Sequence, residues 1–525
     1  LSLFRTSGDR LWLLVEQRAN LSPDRILLVD TYGRSMTFGA FRATAERVAA
    51  GLQEQGVTEG RRVAWQLPTS LEAVVLTAAL ARLGAVQNPL IVMLREAELQ
   101  AIDAQVRAEL VITIPDWQGF GHAAAHRAIV GERAQVLDCD HRTVGSEGIA
   151  LPEADPATLP GLPGHDDRRW VYVTSGSTSV PKAVWHTDAS VCASARAMVE
   201  DLPLEADDVV PIPFPYPHIG GAAWLVTALR TGCRLILVDR FDPVRSPLDM
   251  AEQGATILGS ATPFFRAYIA AQREHGPTPL FPALRFTMGG GAPSPAGMDQ
   301  EFRDTVGGRG IYNGYGLTEC PLAGFPPFDR PDLREKSSWM PGPDVEVRIV
   351  APDGTGSPPG EQGELLLRAP QQFSGYLDEA ATALALDPEG FVRTGDLASV
   401  DESGAVTITG RLKEIIVRNG ENISCAEVES VLMAHPSIAE AALIAIPNPH
   451  TGERACAALV VENDMPTPTV AEIHAFCTAA GLARFKSPEE LVIVDTIPRS
   501  SMGKIARMQL RAEVLAAART PARPH

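Results

Sequence analysis

The sequence predicts an α/β fold: a large N-terminal domain of helix-covered sheets plus a small β-barrel-like sub-domain, and a small α+β C-terminal domain. Three observations carry this. Up to residue 340, apolar runs of strand length alternate with amphipathic runs of helix length, the pattern of parallel sheets with crossover helices. After residue 340 the runs become short alternating strands joined by Pro-Gly turns, which reads as an antiparallel or barrel-like piece. From Gly410 a compact module of strands and helices follows. The expected domains are 1–410 and 411–525.

The elements follow in order. Leu11, Leu14 and Val15 share one face of a first helix, and 26–29 is a strand. Thr37 caps a helix that carries Phe41, Val48 and Leu52 inward and stops at Gly56. A strand at 63–66, a helix at 71–83 closed by Gly84, and a strand at 111–114 come next. Residues 140–168 are rich in Pro, Gly and acidic groups and read as a loop or joint. Strands are expected at 170–173, 209–212, 234–238, 255–258 and 284–288. The proline-rich turn 213–221 leads into a helix around Trp224. Thr262-Pro263 and Ser294-Pro295 are both helix starts, a capping residue before a proline. Later strands are expected at 345–350, 364–368, 406–409, 414–418, 441–446, 457–461 and 491–494, with helices at 426–434, near 470–480 and from Ile505.

Of 525 residues, 45% are hydrophobic and 21% charged, ample for a large core. The net charge of −18 argues against nucleic-acid binding, which needs a broad basic face. A polyphosphate must then be held by local positive charge and a metal. The seven cysteines are scattered and form no C-x-x-C pair, which argues against a disulfide framework or zinc site and for a reducing, cytoplasmic setting. The most apolar run, Ala73 to Ala81, is too short to span a bilayer, so no integral membrane association is expected. The chain starts Leu-Ser-Leu-Phe-Arg, and no signal peptide is read there. The oligomeric state stays open, a homodimer included.

The chemistry is concentrated in a few stretches. Residues 171–186 run from an apolar strand into Thr174, Ser175, Gly176, Ser177, Thr178 and Ser179, then Pro181 and Lys182. By residue type this is either a solvated loop or a cradle of N–H and hydroxyl groups for phosphate oxygens, with Lys182 adding a charge. It is not a Walker loop, because Pro181 and Ala183 flank the lysine. Gly289, Gly290 and Gly291, before Ala292 and Pro293, leave an edge without side chains where a flat ring can lie. In Tyr312-Asn-Gly-Tyr-Gly-Leu-Thr-Glu, Tyr315 offers an aromatic face beside Gly316, Thr318 a hydroxyl, and Glu319 a hard oxygen ligand suited to Mg²⁺. Asp396, read in a turn after Arg393-Thr-Gly, can accept from two hydroxyls at once.

These stretches, in this order, resemble the adenylate-forming superfamily of acyl-CoA synthetases, peptide-synthetase adenylation domains and luciferases. Residues 174–183 resemble its phosphate loop, with Ser179 and Ala183 in place of two glycines. The resemblance implies that Gly290, Gly291, Ala292 and Pro293 lie beside adenine and that Tyr315 stacks on it. It implies that Thr318 meets phosphate, Glu319 holds the metal and Asp396 holds the ribose. Gly410-Arg-Leu-Lys-Glu is similar to the family's hinge: Arg411 would reach ribose and phosphate, and Lys413 would be the pivot of a mobile C-terminal domain. Gly420 would line the pantetheine channel of coenzyme A, with Cys425 where relatives have proline. Pro498-Arg-Ser-Ser-Met-Gly-Lys504 resembles the C-terminal lysine motif, which would make Lys504 the cation bridging substrate carboxylate and α-phosphate.

The implied reaction is ATP-dependent ligation of a carboxylic acid to coenzyme A through an acyl-AMP, with ATP, Mg²⁺ and coenzyme A as cofactors. Catalytic roles would fall to Lys504, Thr318 and Glu319. An amino acid is disfavoured, because Phe214 to Gly221, part of the family's acyl pocket, holds no acid for an ammonium group. His218, Tyr216 and Trp224 suggest an aromatic or apolar wall there, although Trp224 serves equally as core. Residues 65–68 and 84–90 look like the cyclohexanecarboxylate and medium-chain branch. The alternatives are transfer to a carrier-protein thiol and a non-catalytic nucleotide-binding protein on the same fold.

Overall fold

The computed structural model describes residues 10–145, 148–164, 168–174, 181–291, 294–295, 297–336, 338–418, 421–448, 452–463, 465–480, 482, 484–499 and 504–519. The chain forms two compact units, the first made of 1–294, 298–347 and 367–392, the second of 295–297, 348–366 and 393–525.

The first unit is built from three sheets. One has the order Ser35–Thr37, Ile26–Asp30, Arg234–Leu237, Val209–Ile212, parallel except at its first pair. A six-stranded sheet runs Gln135–Asp138, Leu110–Thr113, Arg62–Gln66, Val86–Pro89, Arg168–Thr174, Lys182–Thr187, parallel until its last, antiparallel pair. The third runs Ile257–Leu258, Phe286–Gly290, Ile311–Leu317, Cys320–Phe325, Met340–Pro341, parallel first and antiparallel later.

Local chemistry explains the covering helices. Thr37 Oγ1 accepts from the Ala40 N–H, capping helix Phe38–Glu54, which buries Phe41, Val48 and Leu52. Helix Leu71–Leu83 is apolar nearly all round and sits in the core, closed by Gly84 in the left-handed conformation. Each buried Leu or Val on it stabilises the unit by about 1.5–3 kcal/mol. Its one acid, Glu72, is fully buried and paired with Arg34 at 2.8 Å, and Arg34 also holds Asp30 at 2.7 Å. Among the described residues no helix is long and apolar enough to cross a membrane.

Two expectations need correcting. The helix expected from Ser294-Pro295 begins later, at Met298–Thr305, because Gly297 takes φ +80° and breaks the helical path. The barrel-like piece is a four-stranded sheet in the order Glu346–Val350, Gly363–Arg368, Val392–Val400, Val406–Arg411, lying mostly in the second unit. Among the described residues no pairing closes it.

The rest of the second unit is an α+β module. Its sheet runs Glu421–Ser424, Ile415–Arg418, Gly452–Val461, Ile438–Asn448, with Glu490–Ile493 on the other edge of Gly452–Val461. Helices Cys425–Leu432 and Val470–Ala479 bury Val428, Leu432, Ile473 and Cys477 against it. Strand Glu421–Ser424 is not among the strands expected from the sequence.

Candidate functional site

In the first unit, three stretches remote in sequence converge. Thr174 and Lys182 are directly paired partners in the hairpin of strands Arg168–Thr174 and Lys182–Thr187. Ser175, Gly176, Ser177 and Thr178 fall between them, outside the described residues. Gln105 pins the start of the returning strand: its amide donates to Pro181 O at 2.8 Å and accepts from the Ala183 N–H at 3.3 Å.

Residues 373–377 run along the Lys182–Thr187 strand. The Ser374 N–H donates to Trp185 O, Trp185 N–H to Gly375 O, and Leu377 N–H to Ala183 O, at 2.8, 2.8 and 2.9 Å. The same segment reaches the Thr318–Glu319 turn, where the Phe373 N–H donates to Glu319 O at 2.8 Å. His186 secures the turn from below, its Nε2 lying 2.8 Å from Thr318 O and its Nδ1 3.0 Å from Ser190 Oγ. A carbonyl can only accept, so Nε2 carries the proton and Nδ1 accepts. Burial depresses the imidazole pKa to about 4, which keeps it neutral.

Tyr376 links the parts. Its hydroxyl donates to Glu319 Oε1 at 2.6 Å, and Lys182 Nζ lies 4.8 Å from its ring centroid. Tyr376, His186 and Gln105 were missed by the motif reading. His186 does carry a signal, since it shares a strand face with Lys182 at a spacing of four. Tyr376 carries none.

Tyr315 ends up in strand Ile311–Leu317 with its ring stacked on Trp339, centroids 4.9 Å apart and planes 7° off parallel. Gly316 is required by packing, for a Cβ there would lie 2.4 Å from Leu322 N. Gly290 closes strand Phe286–Gly290 opposite Gly314, and Gly291 follows at φ +80°. Ala292 and Pro293 lie outside the described residues. His218 is the N-cap of helix Ile219–Thr231, its Nδ1 accepting from the Gly220 N–H at 3.1 Å. Trp224, on the same helix, is 8% exposed and packed in the main core.

In the second unit, Asp396 and Arg411 are cross-strand partners, and their side chains pair at 2.8 Å. Asp396 was read in a turn; it lies within strand Val392–Val400, because its pairing with Arg411 continues the ladder past Gly395, which takes φ +70°. Thr394 braces it, accepting from the Asp396 N–H at 3.0 Å and donating to Leu365 O at 2.7 Å. Lys413 lies in the 3₁₀ turn Leu412–Glu414, its side chain outside the described residues, as is all of Gly420. Cys425 opens helix Cys425–Leu432, whose N-terminus Ser424 caps.

Lys504 is exposed, beside the isolated bridge between Arg499 and Ile505. Three residues on, Arg507 anchors the next helix. It pairs with Glu429 through both guanidinium nitrogens and donates to Leu443 O at 3.0 Å. Arg507 was also missed, because its partners lie 64 and 78 residues away.

Glu319 suits Mg²⁺, which is held by one or two carboxylates plus substrate phosphates and waters, without an all-protein cage. Among the described residues no group of three His, Cys, Asp or Glu side chains could hold a metal by itself. Tyr376 occupies one carboxylate oxygen of Glu319 and leaves the second for a cation.

This chain is similar to proteins named as ligases and to an ATP-bound structure. It is 33% identical over 510 residues to a medium-chain fatty-acid–CoA ligase of Escherichia coli, covering 95% of this chain and 89% of that protein. It is 29% identical over 520 residues to a salicyl-AMP ligase / salicyl-S-ArCP synthetase of Mycobacterium tuberculosis, covering 95% and 90%. The ATP-bound crystal structure of MatB from Rhodopseudomonas palustris superposes with a TM-score of 0.86 at 27% identity, over 96% of this chain and 98% of that one. The sequence model of the AMP-binding enzymes matches residues 15–377, that of their C-terminal domain matches 427–504, and the chain therefore belongs to the AMP-binding enzyme family.

Proposed function

We propose that the protein is an ATP-dependent carboxylic acid:CoA ligase that works through an acyl-AMP. The observation that carries this reading is the convergence of the Thr318–Glu319 turn on the strand bearing Lys182, in a member of the AMP-binding family. A free carboxylate is a poor acyl donor, since its leaving group would be oxide. In the first step a carboxylate oxygen bonds to the α-phosphorus of ATP, and the bond to the bridging oxygen breaks, releasing pyrophosphate. In the second, a thiol sulfur attacks the acyl carbon, the thiol proton is lost and AMP leaves.

The phosphoryl step needs positioning and charge neutralisation more than a base. We assign phosphate binding to Thr174, the 175–178 loop and Lys182, and the α-phosphate and carboxylate to Lys504. Thr318 meets phosphate. Glu319 would hold Mg²⁺, which when bound neutralises phosphate charge. Tyr315 and Gly290 to Pro293 take adenine; Asp396 and Arg411 take the ribose side. One preorganised donor of this kind is worth about 3–4 kcal/mol of barrier. The functional boundary is put at 410/411, with Lys413 as pivot and Gly420 on the pantetheine path. His218 and Trp224 are assigned to the acyl side, with a medium-chain or alicyclic acid as substrate class, and a cytoplasmic setting fits coenzyme A as acceptor.

A second reading, transfer to a carrier-protein thiol, is favoured by the relative named for that transfer. ATP–pyrophosphate exchange over a panel of carboxylic acids, then thioester formation with coenzyme A or a carrier protein, tests both. Exchange with no acid in the panel would sink the ligase reading. Exchange with thioester formed only on the carrier would replace the first acceptor by the second.

A further inference from the structure

We propose that Tyr376 is the positioning residue that ties the metal-binding carboxylate to the phosphate-loop cation. The proposal rests on the ligase reading, in which Glu319 meets Mg²⁺ and Lys182 meets phosphate. Two contacts define it: the hydroxyl donates to Glu319 Oε1 at 2.6 Å, and the ring lies under Lys182 Nζ at 4.8 Å. A carboxylate on a half-buried turn keeps more than one rotamer open to it, and Mg²⁺ demands near-ideal octahedral geometry. A fixed donor on one oxygen removes that freedom and aims the other. A hydrogen-bond partner behind a metal ligand typically controls metal affinity in this way.

The ring is itself held from several directions. The Tyr376 N–H donates to Thr382 Oγ1 at 2.8 Å, Val184 bridges it across the sheet, and the Phe373 ring meets it edge-on at 5.1 Å. Gly375 sets its approach at φ +114°, a conformation open to glycine, and a Cβ there would press on Thr382. The geometry also separates two functions of one side chain. The hydroxyl serves the metal ligand, and the π face serves the lysine.

That separation makes the test. Tyr376→Phe keeps the ring and loses the hydroxyl; Tyr376→Leu loses both. ATP binding is measured by titration calorimetry without any carboxylic acid, with and without Mg²⁺, beside the Mg²⁺ concentration for half-maximal pyrophosphate exchange. Tyr376→Phe should leave Mg²⁺-free ATP binding at the wild-type value and raise the half-maximal Mg²⁺ concentration about tenfold. Tyr376→Leu should in addition weaken Mg²⁺-free ATP binding about two- to fivefold. A Tyr376→Phe protein with wild-type Mg²⁺ dependence overturns the proposal and leaves the ligase reading standing. So does an equal loss with and without Mg²⁺, which marks a merely structural role. Wild-type protein that binds no MgATP overturns the ligase reading and this proposal with it.

Discussion

Asp396 and Arg411 face each other across two antiparallel strands, carboxylate to guanidinium at 2.8 Å. The aspartate is 4% exposed, whereas about half of the arginine side chain reaches solvent. The pair therefore presents a preset acceptor backed by a cation. On the proposed assignment, ribose hydroxyls bound there would be held in ground and transition states alike. Asp396→Ala should raise the KM for ATP with kcat much less affected. Steady-state kinetics at saturating acid measure this, and a large kcat loss at unchanged KM would give Asp396 another role.

Lys504 and Arg507 should separate chemistry from architecture. Lys504→Ala removes an exposed charge and opens no core cavity, so acyl-AMP formation should be abolished at an unchanged melting temperature. Exchange within a few-fold of wild type would refute the assignment. Arg507→Ala leaves the partly buried Glu429 with the Leu443 N–H but without its guanidinium partner and should destabilise the second unit by about 2–3 kcal/mol. Denaturant unfolding reads that loss.

Lys413 lies in a short turn between strands Val406–Arg411 and Ile415–Arg418. Adenylation and thiol attack make unlike demands on the module beyond it, so the turn is assigned the pivot. Lys413→Pro fixes φ near −65° and removes one N–H. It should retain pyrophosphate exchange and lose most thioester formation from pre-formed acyl-AMP. Equal, modest losses in both half-reactions at an unchanged melting temperature would reject the pivot.

Buried histidines set an acid limit on stability. Burial depresses the pKa values of His122, His126 and His186 to about 4 each. Unfolded, each titrates near 6.5, so between those values the unfolded chain binds protons that the folded one refuses. Stability is full above pH 6.5 and falls as pH drops toward 4, by up to about 1.4 kcal/mol per pH unit for each ring. His122 is fully buried, and among the described residues neither of its ring nitrogens has a hydrogen-bond partner. His122→Leu should therefore recover about 2 kcal/mol of the loss between pH 7 and pH 5. Unfolding midpoints at the two pH values check this, and an unchanged difference would refute it.

Much of the fold was legible in the sequence because its signals are local. Caps such as Thr37 and the apolar run 71–83 act through neighbours within a few residues, and they produced the expected helices. Ser294-Pro295 misled for the same reason, since the local signal for a helix start was overridden by Gly297 two residues on. Asp396 looked like a turn residue because Gly395 precedes it, yet strand pairing with 406–411 carries it through. Sheet closure is not a local property, so the barrel-like expectation could be settled only by the pairing itself.

The candidate site divides along the same line. Residue type, read together with the family resemblance, marked Lys182, Glu319 and Asp396, because charge, hardness and acceptor count belong to a side chain wherever it lies. What each would touch did not. Tyr376 stands 57 residues from Glu319 and meets it only because 373–377 pairs with the strand of Lys182. Trp339 reaches Tyr315, and Arg507 reaches Glu429, by the same route of distant strands and helices packed together. The sequence by itself determined which groups are available for the chemistry; the tertiary structure decided which of them hold one another in place, because hydrogen bonds and ring contacts depend on distance in space and not along the chain.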